Sequence, residues 1–265
     1  MSVDITTIAE RAAHLADRYR SEAGGSPLAD TPARLVILER LVAGQFRESS
    51  LHIPPSIEAL YPAQLERILA AVEDRDSVVD LGTDPWRKNL RILSGDLLPL
   101  GAEFADPSSG IPRSTLLRGG VGQSLRLAAT IAFETRGFRP CLELHAHPDY
   151  LEEFNVQGWE QTYHRLAELL EANPKFKAVI ASSWFRDPAL AAISPRLGYL
   201  RDFPCRRGAR LFVTGRDERG TSGALARSPT RRRLFENGQY VPTIHLLVWP
   251  RSALLAWHQG KHPRQ

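Results

Sequence analysis

The chain has 265 residues, 43% hydrophobic and 24% charged, a composition typical of a globular protein and unlike that of a disordered or fibrous one. Its two cysteines, Cys141 and Cys205, show no CxxC spacing, so we expect reduced thiols and a cytoplasmic protein. The net charge is +4, and no apolar stretch is long enough to predict a membrane span.

The first third of the chain has helical patterns. Thr31, followed by a proline, is the predicted N-cap of one helix, since threonine caps helices and proline fits their first turn. Further helices are predicted to begin at Pro62 and at Asp84, each with apolar residues at helical spacing. We therefore predict a helical N-terminal subdomain over residues 1–97.

From residue 98 onward, strand-like and helix-like segments alternate. The segment 97–107 is predicted to be extended, and "STLLRGG" to be a short strand before a glycine turn. Further strands are predicted over 139–147, 174–185, 208–215 and 240–250, and helices over 123–135, 159–170, 222–237 and 251–258. The pattern predicts an α/β (or α+β) domain over 98–265, a mixed sheet flanked by helices that carries the functional site.

The segment "LELHAHPD", residues 142–149, is the first candidate site. Successive strand residues point to opposite faces, so Glu143, His145 and His147 are predicted to share one face. The following proline ends the strand, and Asp149 lies on the loop beyond it. Ligands of α/β sheets bind beyond the carboxyl ends of strands, so these four residues are our candidate catalytic group. The alternative is an ordinary solvated strand face.

Histidine and carboxylate side chains are also ordinary ligands of zinc or iron. In the metal hypothesis His145 and His147 bind the ion, with His245 as a distant ligand and Asp149 or Glu143 completing the set. Glu143 would otherwise activate a metal-bound water. In the metal-free alternative, a histidine acts as general base near neutral pH.

Two local resemblances support a metal. His145-Ala146-His147-Pro148 resembles the HxHP core of the JAMM metalloproteases, which implies zinc binding by the two histidines. His147-Pro148-Asp149 with His245 resembles the HxD…H triad of iron and 2-oxoglutarate oxygenases, which implies iron.

A glycine-rich loop, "RGGVG", precedes a predicted helix, where backbone amides can hold a phosphate. It resembles the (Q/R)xxGx(G/A) loop of the GNAT acyltransferases, with Arg118 at the first position and Val121 where that loop has its first glycine. The resemblance implies coenzyme A as cofactor, held by Arg118, Gly119, Gly120 and Gly122. Glu143 or a histidine would then deprotonate an acceptor amine.

The basic residues concentrate near the C-terminus. Residues 196–265 have a charge balance of +10 and the rest of the chain −6. Because the arginine fork matches carboxylate and phosphate, we predict an anion-binding role, with Arg231 and Arg232 at a helix start. Trp184 and Arg186 follow a predicted strand and complete the predicted substrate-binding set. The alternatives are a solvated basic face and a core position for Trp184. Without interleaved aromatic residues, the arginines do not indicate nucleic-acid binding.

Three functions remain open at this point. The leading hypothesis is an intracellular enzyme for a small polar or anionic substrate, a metal-dependent hydrolase or oxygenase if the His-x-His strand holds an ion. The second is a GNAT-like, coenzyme A-dependent N-acyltransferase. The third is a non-enzymatic binding protein.

Overall fold

The computed structural model describes residues 4–22, 28–44, 51–146, 154–226 and 228–261. The chain forms two compact units, residues 1–106 with 146–165 and residues 107–145 with 166–265. Helices flank a mixed sheet, which confirms the predicted fold class. The domain boundary near residue 98 stays a prediction. None of the helices in these ranges is both long and apolar enough to span a membrane.

The N-terminal part is helical, as predicted. Its helices are α1 (Ile5–Glu22), α2 (Thr31–Ala43), α3 (Pro55–Glu58), α4 (Tyr61–Glu73) and α5 (Asp84–Leu93). Three predicted starts are therefore correct to within one residue. The predicted cap is wrong: Asp30, not Thr31, occupies the N-cap position of α2, and its side chain makes no capping hydrogen bond. The Asp30 carboxylate instead accepts hydrogen bonds from Arg34 and from the amide of Val79.

Arg34 is a buried charge inside the apolar stretch of α2. It is 1% exposed and forms an ion pair with Asp30 at 3.0 Å. Its Nη1 donates to the carbonyls of Val72 (2.5 Å) and Asp74 (2.9 Å), and Nη2 donates to that of Ser77. These carbonyls lie at or beyond the end of α4, where a helix has no partners of its own for them. Arg34 thus joins α2 to the C-terminal end of α4.

The sheet has six strands in the order β1-β2-β3-β4-β6-β5. Their bounds are β1 (Leu98–Pro99), β2 (Phe104–Ser109), β3 (Cys141–His145), β4 (Ala178–Ser183), β5 (Arg210–Arg216) and β6 (Thr243–Pro250). The β3–β4 pair is parallel, whereas β1–β2, β4–β6 and β5–β6 are antiparallel. One strand prediction is wrong: "STLLRGG" does not form a strand, because Arg113–Leu117 is a 3-10 helix.

The remaining helices are α6 (Gly120–Ala129), α7 (Val156–Ala172), α8 (Leu190–Ile193), α9 (Tyr199–Cys205), α10 (Gly223–Ala226), α11 (Pro229–Glu236) and α12 (Arg251–His258). A π-helix over Thr130–Thr135 continues α6. The predicted helix over 222–237 is two helices, because Ser228 caps α11 by accepting a hydrogen bond from the Arg231 amide.

One core cluster of the second unit lies on the face of the sheet that α6 covers. It contains Cys141 of β3, Ile180 of β4 and Val248 of β6, against which Leu127 and Ile131 pack from α6 and the π-helix. Burial raises the pKa of Cys141 to about 11, so this free cysteine stays a thiol. Because side chains alternate along a strand, every second residue of β3, counted from Cys141, points toward α6, and the residues between them point away.

Candidate functional site

The parallel strands β3 and β4 pair only along their first halves. Registered partners run from Cys141–Ala178 to Glu143–Ile180, although β3 continues to His145 and β4 continues to residue 183. Beyond Ile180, β4 keeps its pairing with β6 as far as its last residue. The pairing of β3 with β4 therefore ends at Glu143 within the described part of the chain, and we call this point the divergence of the two strands. This is the end of a parallel pair where ligands of α/β sheets bind.

Glu143 lies at the point of divergence. Its Oε2 accepts a hydrogen bond from Ser109 Oγ of the neighbouring strand β2 at 2.5 Å and lies 3.9 Å from His145 Nε2. The Glu143–His145 contact agrees with the predicted shared face. Within the residues that the structure describes, the other oxygen, Oε1, accepts no hydrogen bond. Ser109 thus orients the carboxylate and leaves one oxygen for a ligand.

A cavity of about 750 Å³ opens beside this carboxylate. It is lined by residues 109–113, by Phe138 and Arg139, and by Glu143. Arg113 and Arg139 are exposed, and no carboxylate in the described ranges lies within ion-pair distance of either. Two guanidinium groups and one carboxylate therefore border the same space, an arrangement suited to a small ligand that carries both an anion and an amine.

Gly110 allows the cavity wall to close. A Cβ at this position would lie 2.2 Å from Arg139 Cγ and 2.7 Å from the carbonyl oxygen of Phe138. The Ile111 amide donates to that same carbonyl at 2.9 Å. Only glycine fits this close approach of two backbone segments, so Gly110 fixes the position of Arg139 relative to Ser109.

The structure does not bring His145 and His245 together. His145 lies on the sheet face of Cys141 and Ile180, since side chains alternate along a strand. His245 pairs with Ser183, which lies on the opposite face. The sheet therefore separates these two predicted metal ligands. His147 and Asp149 lie outside the described residues, and the described ones contain no group of three His, Cys, Asp or Glu that could hold a metal.

His245 is a buried histidine of β6. It is 7% exposed, and its Nδ1 lies 3.2 Å from the carbonyl oxygen of Thr243. Burial lowers the pKa of His245, and the contact with Thr243 and the charge of Asp187 only partly oppose this effect. His245 is therefore a neutral side chain of the fold at physiological pH.

Two of the predicted substrate-binding residues do meet. The Arg231 guanidinium carbon lies 4.7 Å from the centroid of the Trp184 ring, a cation–π contact. Arg231 is 5% exposed and donates to the Ala224 carbonyl (2.6 Å) and to Ser194 Oγ (3.0 Å). It thus connects α11 to the 3-10 helix that follows β4.

The other two predicted substrate-binding arginines lie close by in sequence. Arg186 is 1% exposed in the 3-10 helix that follows β4. Arg232 is half-buried, with Nη1 3.5 Å from the carbonyl oxygen of Gly220. A substrate-binding role for Trp184, Arg186, Arg231 and Arg232 stays a prediction.

The glycine-rich loop lies against the edge strand β5. Arg118 Nη1 donates to the carbonyl of Thr214, and Gly119 and Gly120 have left-handed φ values of +75° and +80°. Gly120 begins α6, and Gly122 lies in its exposed first turn. In the strand order, β6 separates β5 from β4, and none of these four residues lines the cavity beside Glu143. Coenzyme A binding by these four residues stays a prediction.

Three polar side chains of the cavity were not predicted from sequence as site residues: Ser109, Arg113 and Arg139. Ser109 and Arg113 lie outside the segments that we predict to be helix or strand, and Arg139 begins the predicted strand 139–147. The usable signal was the close succession of Ser109-Gly110 and Arg113 after an extended segment. That signal has no meaning until β2 is known to lie next to β3.

Comparisons with known proteins add one structural likeness. A solved structure of an acyltransferase in complex with decanoyl-CoA aligns with 93% of this chain and 78% of its own chain, with a TM-score of 0.48 and 17% sequence identity. No protein-family model and no curated protein matches the chain. A likeness this distant does not show what the chain does.

Proposed function

We propose that the chain is a coenzyme A-dependent N-acyltransferase in which Glu143 is the general base. The observation that carries the proposal is the divergence of β3 and β4 at Glu143, beside the cavity that Arg113 and Arg139 border. This part of the sheet has a gap that could hold an extended thioester, the carboxylate of Glu143 that Ser109 orients, and two arginines that could bind an anion.

The diverging strand ends suit the arm of coenzyme A. Backbone N–H and C=O groups that face a gap between strands require new partners. The pantetheine arm carries two amides in an extended chain, so it can pair with a strand edge as an added peptide strand does. Its terminal thioester would then lie beside Glu143, where the paired part of the two strands ends.

The carboxylate supports attack by an amine. An ammonium group must lose a proton before its nitrogen can attack, and Glu143 Oε1 would accept that proton. The nitrogen then forms a bond to the thioester carbonyl carbon, the carbon–sulfur bond breaks, and the leaving thiolate takes up the second proton that the nitrogen loses as the amide forms. Ser109 holds Oε2 throughout, so the free oxygen keeps its direction toward the amine.

Arg113 and Arg139 define the acceptor class. Both line the cavity that Glu143 borders, so an acceptor with a carboxylate or phosphate near its amine would place the anion on the arginines and the nitrogen at the base. The proposal keeps the small anionic or polar substrate of the leading sequence hypothesis. It assigns the substrate's anion to Arg113 and Arg139 and not to the predicted Arg231 and Arg232.

Ligand binding gives the first test. Acetyl-CoA and decanoyl-CoA are added to the full chain, and thermal unfolding is followed. A ligand at about 100 times its Kd stabilises the folded state by about 2.7 kcal/mol, so a clear rise in Tm is expected with at least one of them. Free coenzyme A and ATP serve as controls for the acyl group and the nucleotide. No rise with any acyl-CoA contradicts the proposal and favours a non-enzymatic binding protein.

Replacing the base gives the second test. Glu143→Gln keeps the size of the side chain and removes the proton acceptor, so kcat for thiol release with an amino-acid acceptor should fall by about 10²- to 10⁴-fold. The affinity for acyl-CoA should be unchanged. Glu134→Gln is the matched control, because Glu134 pairs with Arg210 at 3.4 Å and does not line the cavity. Full activity of Glu143→Gln would rule out its role as base.

The metal hypothesis is distinguished by elemental analysis. Near-stoichiometric zinc or iron in the purified chain, lost in His145→Ala together with activity, would support the hydrolase or oxygenase alternative instead. The acyltransferase proposal predicts that a chelator leaves thiol release unchanged.

A further inference from the structure

An unusual apolar stripe lies on the outside of α6. Leu117, Val121, Leu125 and Phe133 are 90%, 78%, 67% and 80% exposed. Three exposed alanines accompany them: Ala128, Ala129 and Ala132. From Val121 onward these residues recur at spacings of three and four, so they share one face of the helix. We call these seven residues the α6 stripe.

The α6 stripe is distinct from the face that packs in the core. Gln123, Leu127, Ile131 and Thr135 are all buried and follow one another at intervals of four residues. The helix is therefore apolar on two sides, one in the core and one in contact with solvent. Single exposed apolar residues are common on proteins, but a continuous exposed apolar face marks an interaction surface.

The surroundings of the α6 stripe are basic. Between residues 113 and 139 the chain has five arginines and one glutamate, and all five arginines are exposed. The one glutamate, Glu134, is paired with Arg210. Arg118, Arg126 and Arg136 come before, within and after the helical segment. An apolar face bordered by long cationic side chains is the pattern of a helix that lies in the interface of a membrane.

We propose that the α6 stripe binds an anionic lipid surface. The apolar side chains would enter the boundary between headgroups and acyl chains, and Arg126 and Arg136 would contact phosphate groups at its border. Charge decides the choice of partner, because the arginines match an anionic membrane and would repel the same basic surface on a second copy of the chain. The proposal does not depend on the proposed acyl transfer.

Vesicle sedimentation tests the proposal. The full chain is centrifuged with vesicles of phosphatidylcholine alone and with vesicles that also contain phosphatidylglycerol. We expect binding to the anionic vesicles, weakening as salt is added, and little binding to the neutral ones. Replacing Leu117, Leu125 and Phe133 together by glutamine should lower the apparent affinity by at least about tenfold. Arg126→Gln with Arg136→Gln should lower it by about 30-fold.

A matched control uses exposed apolar residues elsewhere. Val36 and Val42 of α2 are 39% and 47% exposed, and their double replacement by glutamine should leave vesicle binding unchanged. Circular dichroism of each variant confirms that it is folded. Equal binding by the stripe variant and the parent chain overturns the proposal, as does a lack of binding to anionic vesicles. Light scattering that shows a dimer of the parent chain and a monomer of the stripe variant would instead assign the stripe to a second copy.

Discussion

At the scale of single residues, His245 shows how a candidate ligand becomes part of the fold. It sits in β6 opposite Ser183, with its ring largely removed from water. Burial lowers its pKa below the ordinary value of 6.5, so the folded chain holds the neutral ring while the unfolded chain takes up a proton near pH 6.5. The unfolded state thus binds more protons in this range, and stability must rise with pH across it.

We therefore predict that stability declines as the pH falls through 6.5 toward the lowered pKa of His245. His245→Gln removes the titration, so its free energy of unfolding should depend less on pH between about 7.5 and 5.5. Urea unfolding at several pH values measures this. His14→Gln, at an exposed position of α1, should show the parent's pH dependence. An unchanged slope in His245→Gln would mean that another group carries the effect.

At the scale of elements, the glycine-rich loop has a structural role of its own. Gln123 Nε2 donates to the carbonyls of Arg118 and Val213, both at 2.9 Å, and its Oε1 accepts from the Val213 amide at 2.7 Å. The side-chain amide thus pairs with the edge strand β5 as another strand would. A Cβ on Gly119 would lie 2.4 Å from Gln123 Cδ, so this glycine is required by the packing.

Gln123→Leu should lower the free energy of unfolding by about 1–3 kcal/mol, because it leaves the N–H and C=O of Val213 without their partner at similar side-chain volume. Chemical denaturation gives the value. Gln161→Leu on the exposed side of α7 is the control and should change stability by less than about 0.5 kcal/mol. Equal stability of the two variants would show that the loop does not depend on this amide.

At the scale of the whole molecule, the chain has two compact units, each with buried apolar residues of its own. Leu38 is fully buried in the first unit, and Ile180, 1% exposed, lies in the sheet core of the second. Amides in a cooperative unit exchange through the opening of that unit, so each truncation should act most strongly on its own unit.

Leu38→Ala and Ile180→Ala should each cost about 2–5 kcal/mol. Hydrogen exchange followed by mass spectrometry should show the loss of protection in residues 1–106 for the first variant and in residues 166–261 for the second. Val36→Ala, at a position 39% exposed, is the control and should have a small effect. Equal loss of protection in both units would show that the chain unfolds as one cooperative body.

The local features of this protein can be predicted from its sequence alone. Hydrophobic spacing and proline positions predict the helices of the N-terminal part and their starts, because both signals act over one or two helical turns. Strand parity likewise predicts that Glu143 and His145 share one face. In the structure, Glu143 Oε2 lies 3.9 Å from His145 Nε2. The cap prediction for α2 is wrong. Asp30 occupies the N-cap position, but its carboxylate is bound to Arg34, a contact between side chains that no local pattern reveals.

Only the tertiary structure decided which strands are neighbours. The order β2-β3-β4-β6 brings Ser109 to Glu143, ends the β3–β4 pairing at Glu143 and puts His245 across the sheet from His145. Each of these contacts or separations involves residues 34 or more positions apart in the chain. Each depends on the order and register of the strands, which distant parts of the chain decide together. Sequence thus gives the side chains that share a strand face, and the folded sheet selects the ones that share a site.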